Sequence, residues 1–327
     1  KFDIVNFKAV FLKGISVKAN KAFCPELIKI YKRTPHDVLV IGGYNTPTSM
    51  YLISYLRRHK HSFILSADGG EVKQESKMAY LVKRHFISSA TMWIGTSSGT
   101  LDYFCHYGAI RENVRIYPFT SIYDSQVFTA PIGKREKQEL RRELGMNAGF
   151  TIVAVGQFIH RKGFDVLLKA AREIPYPLEI YIIGGVPTEE YKTLAGTCLL
   201  TNIYFQNFMN SADLCKYYMA SDLFVLPTRE DIWGLVINEA AACGLPIITT
   251  KQCVAGEEII GKYGNGILVE KEDVYGLAKA IEQIYSNENL REEMSLKSLT
   301  AASDYTFEKM AAVHMQIFEE YVARPGR

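Results

Sequence analysis

The sequence predicts an α/β protein built from parallel βαβ units, with enough chain for two domains. Three observations carry this. Runs such as 36–41 and 150–155 have continuously apolar centres and do not alternate, the pattern of strands covered on both faces of a parallel sheet. Strand-like and helix-like segments alternate along the chain, which calls for right-handed crossovers. The length of 327 residues suits two such domains.

Each element follows from its local pattern. Residues 9–12 read as a strand and 24–31 as a helix. The strand 36–41 stops at Gly42 and Gly43, and a helix follows over 48–58. The next strand, 62–67, ends in Asp68, Gly69 and Gly70; then come a helix over 77–86 and a short strand over 92–95. A helix over 100–106 and a strand over 114–117 complete this half. In open α/β sheets, ligands bind off the carboxyl ends of strands. Gly42 to Asn45, Asp68 to Gly70, and Ser97 with Ser98 are therefore candidate positions. Asp68 either reaches a ligand there or makes a turn with its glycines.

Residues 121–149 read as the link, with Pro131 and Gly133 ahead of a charged helix, 134–144, closed by Gly145. The expected domains are 1–125 and 126–304. The second opens on strand 150–155, followed by Gly156, Gln157, Phe158, Ile159, His160, Arg161, Lys162, Gly163 and a helix over 164–172. This places Arg161 and Lys162 beside a helix start, where a diphosphate can sit; the alternative is an exposed basic turn. Strand 178–183 ends in Gly184 and Gly185, which let a ligand approach the backbone closely. Strand 202–206 leads to Phe208, which local pattern alone leaves as ordinary core. A helix over 212–219, a strand over 223–226 and three closing helices over 273–286, 287–302 and 305–322 complete the series.

The stretch 226–250, LPTREDIWGLVINEAAACGLPIITT, organises this second half. Gly234 opens a helix over 235–243, Gly244 and Pro246 stop it, and 247–250 returns as a strand. Glu239 lies inside a segment too apolar for a solvated face. A buried carboxylate without a partner is costly, so Glu239 either has an internal partner or faces a ligand-filled cleft. Asp231 stands in the loop ahead of the same helix, either as a cap or beside an anion site at the helix start.

This segment resembles the signature of family-4 retaining glycosyltransferases: an acid, seven residues, Glu, then A-x-A-C-G-x-P. Here it is Asp231, Glu239, and Ala240 to Pro246, with Asp231 where Glu is usual. Residues 156–163 resemble the family's G-R-…-K-G element; Lys162 matches the Lys, Gln157 stands in place of Arg, and Arg161 is adjacent. The resemblance implies a GT-B fold of two Rossmann-like domains facing across a cleft. It also implies a last helix, 305–327, packing back on the first domain, and a first domain incomplete at its N-terminal end. In its terms, Asp231 and Asp68 are the catalytic candidates. Gly156, Arg161, Lys162, Gly184, Phe208, Gly234, Leu235, Val236 and Glu239 would bind the donor, with Phe208 against the base and Glu239 on the ribose. No Asp-x-Asp metal motif occurs, so the implied enzyme is metal-independent and needs no cofactor.

The implied reaction moves a sugar from a nucleotide diphosphate sugar, expected to be UDP-linked, to a saccharide or lipid-linked acceptor in surface polysaccharide or glycolipid synthesis. Two other readings are a non-catalytic nucleotide-sugar-binding scaffold and a GT-B sugar-nucleotide epimerase.

Composition sets the remaining bounds. The chain is 48% hydrophobic and 22% charged, without an apolar run long enough to cross a bilayer or a visible signal peptide. Cysteines 24, 105, 198, 215, 243 and 253 are scattered with no C-x-x-C pair, which predicts reduced, buried, cytosolic thiols and neither a zinc site nor a disulfide framework. Residues 1–125 carry 17 Lys and Arg against 9 Asp and Glu, whereas the remainder carries 21 against 26. The basic half either meets something anionic or reflects scattered surface lysines. A cytoplasmic protein, peripheral at an anionic membrane face and without a nucleic-acid partner, is expected.

Overall fold

A computed structural model of the chain describes residues 8–18, 21–197 and 202–324. The chain divides into two compact units: residues up to Tyr117 together with those from Val313, and Pro118–Ala312. The division falls ahead of the expected 125/126 boundary.

The first unit opens with β1 (Ile15–Lys18) and β2 (Lys21–Phe23), an antiparallel pair. The strand expected over 9–12 does not form. A strand needs a partner for its backbone groups; Ile15 pairs with Phe23, while Phe11 stays 88% exposed. There follow α1 (Leu27–Arg33), β3 (Val40–Gly42), α2 (Pro47–His59), β4 (Ile64–Ala67), α3 (Lys77–Ile87), β5 (Met92–Gly95), α4 (Ser98–His106) and β6 (Val114–Ile116). Thr46, Ser76 and Ser97 cap α2, α3 and α4, each side chain accepting from a backbone N–H three residues on. Strands β3 to β6 form a parallel sheet in chain order. Ile53, Leu56, Phe63, Leu65, Trp93, Phe104 and Tyr107 are buried in its core. Trp93 satisfies its indole N–H on the Ile87 carbonyl at 2.8 Å.

The second unit contains α5 (Lys134–Glu143), β7 (Phe150–Val155), α6 (Phe164–Arg172), β8 (Leu178–Ile183), α7 (Glu189–Thr197), β9 (Ile203–Gln206), α8 (Ser211–Ala220) and β10 (Leu223–Leu226). The chain continues through α9 (Leu235–Ala242), β11 (Ile247–Thr250), α10 (Val254–Tyr263), β12 (Gly266–Val269), α11 (Val274–Ser286), α12 (Glu288–Asp304) and α13 (Phe307–Ala323). Helices α7 and α10 and strand β12 were not read from the sequence. Gly256, Gly261, Gly264 and Gly266 interrupt the α10–β12 pattern, and tertiary packing overrides those breaks. The last helix starts in this unit, and its residues from Val313 group with the first.

The six strands are parallel in the order β12-β11-β10-β7-β8-β9. Successive strands run outward from β7 to β9, and the chain then returns to place β10 on the other side of β7. That reversal makes the carboxyl ends of β7 and β10 a topological switch point. Two apolar cores flank the sheet. One joins α6, α7 and α11 around Ile152, Ile180 and Ile182; the other joins α8, α9, α10 and α12 around Val153, Phe224 and Ile247.

At the opposite ends of β7 and β10, a largely buried cluster of charges ties α5 to the sheet. Asp222 accepts from Arg141 at 2.6 Å, from Lys137 at 3.0 Å and from the Thr151 N–H at 2.9 Å. Burial pushes the Asp222 carboxyl up, but Lys137, Arg141 and the Thr151 N–H outweigh it and hold the group below its ordinary range. A depressed folded-state value contributes stability above the unfolded value of about 3.9 and loses it as pH falls through the folded value. The stability advantage of wild type over Asp222→Asn is therefore expected to be full near pH 5 and to shrink below about pH 4, measured by urea unfolding. A constant difference across that range would contradict the assignment.

Among the described residues, no helix is long and apolar enough to cross a membrane. Cys24, Cys243 and Cys253 are buried as expected, Cys105 and Cys215 are partly exposed, and Cys198 lies outside the described residues.

Candidate functional site

The switch point brings together Gly156, Arg161, Lys162, Gly184 and Asp231 of the sequence-predicted residues. Strand β7 ends at Val155, and the chain turns through Gly156 to Gly163 before α6. Phe158 anchors this loop: it is buried with its ring 5.7 Å from Phe164 and from Tyr191. Gln157, Ile159, His160 and Arg161 remain exposed.

Two glycines are required by close approach. Gly163 has φ +68, and a Cβ there would lie 1.9 Å from the Pro227 carbonyl oxygen. At Gly184, φ +153, a Cβ would lie 2.0 Å from the Gly156 oxygen. The ends of β7, β8 and β10 thus interlock backbone to backbone. Gly156 in turn lies under the Lys162 stem, which a Cβ would approach to 3.3 Å.

The loop after β10 grips the loop after β7. The Arg161 carbonyl accepts from the Thr228 hydroxyl at 2.9 Å and the Arg229 N–H at 2.8 Å. Lys162 Nζ donates to Asp231 Oδ2 at 2.5 Å, and Arg161 Nη1 lies 3.5 Å from Asp231 Oδ1. Arg161 Nη1 also donates to the Glu230 carbonyl at 2.7 Å. Lys162 and Asp231 side chains are each 12% exposed, Arg161 42%. Two cations share one carboxylate here, so the cluster keeps a positive excess beside the strand ends. Asp231, read from the sequence as a cap or an anion-site neighbour, orients both cations.

No spacing in the sequence marks Arg229 as part of the site. It donates both ends of its guanidinium to Asp165 at 2.8 Å, to Glu272 at 2.9 Å and to the His160 carbonyl at 2.5 Å. Burial raises the Asp165 carboxyl, but the Arg229 bonds prevail and hold it below the usual range. Arg229 is consumed in joining the site loops to α6 and the β12–α11 turn.

Gly234, with φ +100, precedes α9, whose first turn carries Leu235 and Val236. A Cβ at Gly234 would meet Cys253 Sγ at 2.6 Å. The N-terminal amides of α9 begin one strand-end loop after Asp231, which suits an anion. Glu239 has internal partners: it accepts from Tyr218 at 3.1 Å and Ser121 at 3.3 Å while remaining partly exposed. Burial raises its carboxyl above the ordinary range, against the pull of those two bonds. Phe208, in the loop after β9, is 83% exposed, so the core alternative does not hold.

Asp68 belongs to the first unit. It sits just beyond β4 with its carbonyl accepting from Thr96 at 3.0 Å and its carboxylate from Tyr117 at 3.3 Å. Burial first, and the Asp68 charge second, push the Tyr117 hydroxyl up to about 12. Among the described residues, no group of three or more His, Cys, Asp or Glu side chains is disposed to hold a metal ion.

Residues 136–298 match the family described as glycosyl transferases group 1. A D-inositol 3-phosphate glycosyltransferase of Paenarthrobacter aurescens is 29% identical over 231 residues, 67% of this chain and 54% of that protein. An alpha-galactosylglucosyldiacylglycerol synthase of Streptococcus pneumoniae is 25% identical over 200 residues, 59% of this chain and 52% of that protein. The matches thus span about half the length of these relatives. Among solved structures, a sucrose-phosphate synthase from Thermosynechococcus elongatus aligns with TM-score 0.72 at 20% identity, covering 91% of this chain and 77% of that one. Anabaena HepE in complex with UDP aligns with TM-score 0.74 at 18% identity, covering 92% and 83%. These likenesses are of fold, and the shared fold is GT-B, with parallel α/β sheets in both units.

Proposed function

Because residues 136–298 belong to the glycosyl transferases group 1 family, we propose that the chain is a retaining, family-4 glycosyltransferase that takes a hexosyl or N-acetylhexosaminyl group from a UDP-linked sugar. The observation that carries this reading is the Arg161–Lys162–Asp231 cluster at the switch point of the second sheet. Glycosyl transfer needs the leaving diphosphate stabilised, the sugar oriented and water excluded. Arg161, Lys162 and the amides at Gly234 to Val236 meet the diphosphate charge without a metal. Asp231 holds the cations and reaches the donor sugar. Glu239 accepts from the ribose hydroxyls, Phe208 lies against the base, and Asp68 takes a hydrogen bond from donor sugar or acceptor. Retention comes from reaction on one face, the departing phosphate accepting the acceptor's proton.

A saccharide or lipid-linked acceptor agrees with relatives named for inositol phosphate and glycolipid synthesis. A peripheral position at an anionic membrane face, on the cytoplasmic side, agrees with the basic residues 1–125. UDP as the donor base agrees with the complexes of HepE with UDP and UDP-glucose.

The test is a thermal-shift panel of UDP, GDP and their glucose conjugates, with and without EDTA. Stabilisation by UDP compounds, insensitive to EDTA, is expected; no shift at millimolar nucleotide overturns the donor-site reading. Product analysis with a sugar acceptor separates transfer from epimerisation and from binding alone. Glu239→Ala is expected to weaken UDP binding by about tenfold or more, the loss of a charged hydrogen bond. Unchanged affinity by calorimetry would remove Glu239 from the nucleotide site.

A further inference from the structure

Cys215 and Cys243 are 28 residues apart in sequence, with no motif joining them, yet their Sγ atoms lie 3.6 Å apart. Cys215 comes from α8, and Cys243 is the residue that ends α9. Cys215 is partly exposed and Cys243 buried, so a reagent from solution meets Cys215 first. The contact between the two thiols draws the Cys215 thiol below the usual thiol range, while the same contact and burial push Cys243 up. The pair therefore has an accessible nucleophile and a buried resolving thiol in van der Waals contact.

We propose that Cys215 and Cys243 form a thiol–disulfide exchange site for low-molecular-weight disulfides of the glutathione class. The Cys215 thiolate attacks one sulfur of the external disulfide, whose S–S bond breaks and whose other half leaves as a thiolate that takes up a proton. Cys243 then gives up its proton and attacks Cys215 Sγ, forming the intramolecular bond and releasing the second external thiol. Two protein thiols are oxidised and one external disulfide is reduced to two thiols. The sulfurs need to close from 3.6 Å to about 2.0 Å to form that bond.

The bond would act on a defined place. Tyr218 lies one turn beyond Cys215, Glu239 one turn before Cys243, and the Tyr218 hydroxyl donates to Glu239 at 3.1 Å. The Cys243 N–H donates to the Glu239 carbonyl at 3.3 Å. Joining α8 to the end of α9 ties together the two elements that hold the Glu239 carboxylate. The exchange site rests on the sulfur contact and the partial exposure of Cys215; its effect on nucleotide binding rests on the function proposed above.

The experiment treats the full chain with oxidised glutathione and maps peptides by mass spectrometry without reduction. A Cys215–Cys243 cross-linked peptide, lighter by two hydrogens, is expected. Cys243→Ser is expected to trap glutathione on Cys215, and Cys215→Ser to leave Cys243 unmodified. A wild-type dithiol that persists while other cysteines are glutathionylated overturns the proposal, even where a serine variant does not fold. UDP affinity of oxidised against reduced protein is expected to differ by about fivefold or more. A cross-link without that change keeps the exchange site and removes its coupling to Glu239. A cross-link in protein that binds no UDP when reduced sinks the functional reading and leaves the exchange site standing.

Discussion

Lys162→Ala is expected to lower sugar transfer by about 10²–10³-fold, the scale of removing one preorganised charge from a developing oxyanion. Lys162 is held where its charge is useful: its stem crosses Gly156, its Nζ sits 2.5 Å from Asp231, and only 12% of its side chain is exposed. The same substitution leaves Asp231 with Arg161 alone, at 3.5 Å. A largely buried carboxylate that loses its closest partner is destabilising, so Lys162→Ala is expected to cost about 1–3 kcal/mol of stability as well. The two effects separate in a double-mutant cycle. Adding Asp231→Asn removes the stranded charge and is expected to restore most of the stability, with no recovery of transfer. Stability by urea unfolding and turnover by release of UDP would be measured on the same four proteins. Near wild-type turnover in Lys162→Ala would discard the diphosphate role. Recovery of turnover together with stability would mean that the pair is a structural strut.

Gly163→Ala and Gly145→Ala are expected to differ sharply although their backbones match. Gly163 has φ +68 and Gly145 has φ +66, so both substitutions place a side chain in the left-handed region at a cost of about 1–2 kcal/mol. A Cβ at Gly145 meets nothing within 4 Å, whereas at Gly163 it lies 1.9 Å from the Pro227 carbonyl oxygen. That contact is with backbone and cannot be relieved by rotating a side chain. Overpacking adds about 1–3 kcal/mol, so the total at Gly163 is about 2–5 kcal/mol. Relief would also draw the Arg161 carbonyl away from Thr228 and Arg229, which grip it at 2.9 and 2.8 Å. Gly163→Ala should therefore weaken nucleotide binding where Gly145→Ala does not. Equal losses in urea unfolding would sink the steric argument.

Much of the architecture was legible locally. Strands β5, β7, β8, β10 and β11 and helix α6 occupy the residues that their apolar runs and flanking glycines predict. The start of α2 moved to Pro47 because Thr46 caps it and proline suits a first turn. The segment 9–12 had a strand's composition but no partner, so it stays irregular while Ile15–Lys18 pairs. The glycines around α10 and β12 hid those elements because Ala255, Ile259 and Ile260 stabilise the helix only by burial against the sheet.

For the site, local pattern identifies which residues stand at strand ends. It marked the spacing of Asp231 and Glu239, the Arg161–Lys162 pair, and the glycines that allow backbones to touch. Their partners follow from the packing of the strands. The strand order places β10 beside β7, and this alone brings Lys162 to Asp231 across 69 positions of sequence. Ser121 reaches Glu239 across 118 positions, and Cys215 reaches Cys243 across 28. Local pattern records which face of an element is apolar, because that depends on neighbours three or four positions away. Which strands lie side by side depends on the packing of whole layers, a property that no single segment carries.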